Sequence, residues 1–104
     1  MVQDEVGRAV AYHETVVAVG DAGIRKEHLF PSSVFGIIEI DGVHVVEMEL
    51  AVAALGRGFE TMLWHFEVSD VIMERRYSGG TIEVDDFNGN RYVIRVADGE
   101  AITP

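Results

Sequence analysis

The chain has 104 residues, 48% of them hydrophobic, and no cysteine. That is enough for one folded domain with its own core, and it excludes a disulfide framework, thiolate metal sites and cysteine catalysis. The formal net charge is −10, from 18 acids against 8 bases, so a phosphate backbone would be repelled and nucleic-acid binding is not expected.

The N-terminal MVQDEVGR has no basic region followed by an apolar run, so no signal peptide is expected. Residues 8 to 19, RAVAYHETVVAV, carry two patterns. Val6, Val10, His13 and Val17 would line one face of a helix, whereas the β-branched run Thr15-Val16-Val17 and Val19 favour a strand. Strand is the preferred reading. Gly20 to Gly23 reads as a turn, and IRKEHLF, residues 24 to 30, as a single helical turn ended before Pro31.

FGIIEI, residues 35 to 40, reads as a strand, and Asp41-Gly42 is a strong hairpin signal. Val46, Met48, Leu50 and Val52 then alternate with Glu47 and Glu49, which predicts one continuous strand. A helix over 44 to 55 is the alternative, with Val45, Met48, Val52 and Leu55 on one face. Glu39, Asp41, Glu47 and Glu49 interrupt this apolar region, so no stretch spans a bilayer. Met62, Trp64, Phe66 and Val68 alternate with Thr61, His65 and Glu67. Gly56-Arg57-Gly58, taken as a three-residue hairpin loop, pairs Leu50 with Trp64 and Met48 with Phe66.

VIMERRY is the next strand, turned by Ser78-Gly79-Gly80 into TIEVDDFNGNRYVIRV. DDFNGN invites comparison with a calcium loop, but Val84 falls on a ligand position and Arg95 on the closing one. The hairpin reading fits better. A three-residue loop Phe87-Asn88-Gly89 pairs Val84 with Tyr92 and Ile82 with Ile94, and sets Asp85 opposite Arg91. Asp85 and Asp86 are then solvated turn acids, and Arg75, Arg76, Arg91 and Arg95 pair with Glu74, Glu83 and Asp85 across strands.

The expected fold is therefore mainly β. It is an antiparallel meander forming a small barrel or curled sheet over residues 1–104, with at most one or two short helices. An α+β fold with helices near 5 to 18 or 44 to 55 is the alternative.

The candidate chemistry is modest. The proposed register sets Glu49 opposite His65 and Glu47 opposite Glu67, and a histidine beside carboxylates suits acid–base work or a divalent metal. An ordinary solvated sheet face is the simpler account. His44 shares the apolar face with Met48, where a hydrogen-bonded core histidine is the usual finding. Met48, Trp64 and Phe66 are candidate pocket walls. His28 reads as a loop residue. No cofactor or resident metal is expected.

Two functions compete. The leading expectation is a non-enzymatic binding module, of inhibitor or immunity type, whose acidic surface meets a basic protein. It self-associates through exposed sheet edges. The alternative is a small-molecule-binding barrel or small enzyme using a His/Glu acid–base pair or a His/carboxylate metal site. A soluble cytoplasmic protein is the default location.

Overall fold

The computed structural model describes residues 1–102. The chain folds into three consecutive antiparallel sheets. The first holds β1 (Val2–Gln3), β2 (Arg8–Tyr12), β3 (Thr15–Gly20) and β4 (Gly23–Leu29) in chain order. The second holds β5 (Val34–Ile40), β6 (Val43–Met48), β7 (Ala51–Leu55) and β8 (Met62–Glu67), with a 3₁₀ turn at Arg57–Phe59 between the last two. The third holds β9 (Ile72–Ser78), β10 (Thr81–Asp86) and β11 (Arg91–Arg95). The mainly-β expectation holds in its curled-sheet form. Residues 8 to 19 and the 44 to 55 region are strands, so the α+β alternative falls.

The local sequence explains most of the turns. Asp41 and Gly42 both take positive φ, 51° and 81°, as the tight β5–β6 hairpin requires. Gly79-Gly80 closes β9–β10 with φ 54° and 81°. In the last hairpin Val84 pairs with Tyr92, Ile82 with Ile94 and Asp85 with Arg91, as the sequence predicts. Gly89 has φ 83° and closes the loop by donating to the Asp86 carbonyl at 3.1 Å.

Two expectations are corrected. IRKEHLF is no helical turn; it lies in and just beyond edge strand β4. A bulge between Ala18 and Val19 hides its alternation, pairing Ala18 with Lys26 but Val19 with Ile24. The segment 44 to 55 is not one strand. It turns at Glu49-Leu50, and β6 and β7 pair as His44 with Leu55 and Glu47 with Val52. The connection after β7 is also longer than Gly56-Arg57-Gly58, for the Gly56 N–H donates to Thr61 O at 2.8 Å. Trp64 therefore pairs with Ala54 and Phe66 with Val52, not with Leu50 and Met48.

The core follows from this. Strand β7, AVAAL, is buried at every position. Val46, Met48, Ala51, Ala53 and Leu55 face the first sheet, where Ala9, Val16 and Ala18 meet them together with Phe30 just beyond β4. Val45, Val52 and Ala54 face the third sheet, where Ile72, Ile82, Val84 and Ile94 meet them. The second sheet is thus the middle layer, and its small alanines let both neighbours approach. Backbone hydrogen bonds between turns tie the layers at one end: Val34 N to His13 O at 2.7 Å, Glu49 N to Ser33 O at 3.0 Å, Ile72 N to Glu49 O at 2.8 Å and Phe87 N to Val71 O at 2.8 Å.

Candidate functional site

The most connected polar group joins the N-terminal segment to the middle sheet. Asp4 follows β1, and its Oδ1 accepts from the N–H groups of Val6 at 2.8 Å and Gly7 at 2.9 Å. This is the local turn that Asp makes readily. Its Oδ2 accepts from the Gly58 N–H at 2.7 Å and from His44 Nε2 at 2.8 Å. Two glycines permit the approach. A Cβ on Gly58, whose φ is 75°, would lie 2.8 Å from Val6, and one on Gly7 would lie 3.3 Å from the Val19 carbonyl.

His44 comes from β6, is 5% exposed and stacks on Phe59 with ring centroids 3.9 Å apart. Phe59 itself has φ 66°, a conformation rare for a bulky residue. Its carbonyl accepts from His28 Nε2 at 2.7 Å. His28 is thus a buried residue of β4, 4% exposed, rather than a loop residue. The 3₁₀ turn is gripped by Asp4 at its amide, by His44 at its ring and by His28 at its carbonyl.

Burial works against ionising Asp4, but the hydrogen bonds from Gly58, His44, Gly7 and Val6 outweigh it and hold the carboxyl well below the usual carboxylate range. An ionised Asp4 only accepts, so His44 donates from Nε2. Nδ1 is left as the other ring nitrogen. A cleft of about 370 Å³ adjoins the pair, lined by Asp4, Glu5, Glu39, Gly42, His44 and Arg57. An imidazole oriented by a carboxylate at the wall of a polar cleft is competent for proton transfer.

The other candidates are not brought together. His65 pairs with Ala53, is exposed and lies near Phe30 with centroids 6.3 Å apart. Glu49 sits in the β6–β7 turn, and Glu67 pairs with Ala51. The expected Glu49–His65 pair is not formed, because the turn at Glu49-Leu50 removes Glu49 from the ladder. The expected wall of Met48, Trp64 and Phe66 is not formed either. Met48 packs toward the first sheet, while Trp64 and Phe66 pack toward the third. Trp64 donates from Nε1 to the Val96 carbonyl at 2.7 Å and leaves no room for a Cβ on Gly99. Among the described residues no cluster of three or more His, Asp or Glu suits a metal ion.

The sequence also misplaced Asp86. It is 4% exposed rather than solvated. Its Oδ1 accepts from the Asn88 and Asn90 N–H groups at 3.0 and 2.9 Å. Its Oδ2 accepts from Asn90 Nδ2 at 3.1 Å and from Ser69 Oγ and Tyr92 OH at 3.2 Å each. Burial opposes ionisation here too, but these donors lower the pKa. The cross-strand ion pairs were legible. Arg76 meets Glu83 at 2.6 Å and Asp85 at 2.8 Å, and Arg91 meets Asp85 at 2.9 Å, while Glu74 reaches Arg76 at 2.9 Å from the same strand rather than across strands. Arg91 and then Arg76 hold the Asp85 carboxyl down at about 2. Arg95 pairs with Asp98 instead, and Arg75 donates to the Met48 carbonyl beneath the Phe35 ring.

No protein-family model matches the chain, and no curated protein matches it.

Proposed function

We propose that the protein is an acidic binding module whose partner is a basic protein. The observation that supports this most is how the cations are used. Arg25, Arg57, Arg76, Arg91 and Arg95 are held in ion pairs, and Arg75 is turned onto a backbone carbonyl. Among the described residues Arg8 and Lys26 are left outside any ion pair. Glu14, Asp21, Glu27, Glu39, Asp41 and Asp70 stand without a cationic partner. The excess charge is therefore displayed at the surface rather than neutralised within it, and such a field steers a basic partner into contact. Inhibition of a basic enzyme is the role that fits a small, rigid, acidic stack of sheets.

The test is capture from native lysate by the immobilised protein. Basic proteins retained at low salt and released at high salt are the expected catch. Retention of the same proteins whatever the salt, or a catch with no basic bias, overturns the reading.

The Asp4–His44 pair favours a second reading, a small enzyme using His44 as acid or base in its cleft. His44→Gln keeps a hydrogen-bond donor toward Asp4 but cannot shuttle a proton. Under the binding reading the variant folds and captures the same partner with unchanged affinity. Loss of a turnover detected in the wild-type protein, with the fold intact, transfers the weight to catalysis.

A further inference from the structure

The two outer layers end differently. The outward face of the third sheet is sealed by the ion pairs of Arg76 and Arg91 with Glu83 and Asp85. The outward face of the first sheet is apolar. Ala9, Val16 and Ala18 point into the core, so Val10, Tyr12, Val17 and Val19 point away from it. Val10 and Tyr12 are 42% and 69% exposed, and Ile24 and Leu29 on β4 are 72% and 74% exposed.

The bulge in the β3–β4 ladder contributes to this face. Strict alternation from Leu29 and Glu27 would turn Arg25 outward and Ile24 inward. The register shift instead aligns Ile24 with Val19, and Arg25 reaches Glu60 at 3.1 Å. A one-residue change of phase has exchanged a cation for an isoleucine on the outer surface.

From this surface we infer that a second copy of the chain covers it, the two first sheets packing face to face about a two-fold axis. The charges on the face support a self-complementary contact. Arg8, on the β2 side, and Glu27, on the β4 side, are its charged positions, and they have opposite signs. An axis running along β3 lays β2 of one protomer over β4 of the other. Tyr12 then meets the partner's Leu29. Arg8 lies one residue pair, roughly 7 Å along the strand, from the partner's Glu27, within reach of its long side chain. The area is adequate. Side chains of this kind offer roughly 500 Å² of exposed apolar surface per protomer here, so pairing buries about 1,000 Å², the lower bound of a specific interface. This contact uses a sheet face rather than a sheet edge, and it leaves the acids at the turns free for the basic partner.

Sedimentation of the full chain tests it. The wild-type protein is expected to be dimeric at about 50 µM. Leu29→Glu is expected to be monomeric, with an unchanged far-UV spectrum. Glu27→Arg, at an exposed position that cannot compromise the core, weakens the dimer about tenfold by opposing two arginines across the axis. Adding Arg8→Glu to it restores association. A wild-type monomer up to about 200 µM, or a dimer indifferent to both Leu29→Glu and Glu27→Arg, overturns the inference. Neither result touches the basic-partner reading, because salt-dependent capture does not require the dimer.

Discussion

Val52→Asp and Ala53→Asp are each expected to unfold the protein. These neighbours on β7 point to opposite faces of the middle sheet, Val52 into the cluster shared with the third sheet and Ala53 into the one shared with the first. Both are 0% exposed. An unpaired carboxylate at either place costs about 4 kcal/mol or more. That is a large part of the total stability of a domain of this size, about 5–15 kcal/mol. The pair is diagnostic because a half-buried strand would tolerate one of the two. Chemical denaturation followed by far-UV circular dichroism is the readout. A cooperative transition near the wild-type midpoint for either variant contradicts the layered arrangement. Glu67→Asp, on the exposed part of β8, is the control and should be silent.

Asp4→Ala carries the next largest effect. It removes four hydrogen-bond acceptances, leaves the Gly58 N–H and His44 Nε2 without their partner, and frees the N-terminal segment from the 3₁₀ turn. Bonds to a charged acceptor and the stranded donors together amount to about 3 kcal/mol, or a melting temperature lower by about 12–20 °C. The pH dependence has a definite sign. The folded carboxyl ionises more readily than the unfolded one. Its contribution is therefore fully present above the ordinary carboxylate pKa of about 4, and it fades as the pH falls below that toward the depressed folded value. Wild-type and variant stabilities should converge on acidification, and a difference that stays constant from neutral pH down to about pH 2 would contradict the assignment.

The last hairpin was legible because three independent signals coincide there. Asn88-Gly89 marks the turn, the alternation of Ile82 and Val84 with Tyr92 and Ile94 sets the face, and Asp85 opposite Arg91 confirms the register. The middle sheet was harder for a physical reason. Its β6–β7 turn falls at Glu49-Leu50, which contains no glycine, proline, asparagine or aspartate. The flanking strands are buried on both faces, so apolar residues run through the turn without a break in pattern. Reading straight through it placed Glu49 beside His65 and Met48 beside Phe66. The glycines at 56 and 58 did mark a loop, and Gly58 does take a positive φ, but the loop extends to Thr61 and moves the register.

The Asp4–His44 contact joins residues far apart in the chain, and no local pattern announces it. Asp4 with Gly7 signals a turn at most, and His44 was legible only as a core histidine on the face of Val46 and Met48. Its partner became visible once the first sheet was laid against the second. The bulge that turns Ile24 outward was equally hidden, because IRKEHLF reads as a helical turn until Ala18 and Val19 are seen to pair out of step.

If charge governs what this protein binds, as proposed, the affinity for the captured partner depends on ionic strength, and that dependence is the quantity to measure. The dissociation constant is expected to rise at least tenfold between about 50 and 300 mM salt, carried mainly by a slower association rate. An affinity that stays flat across that range would contradict it.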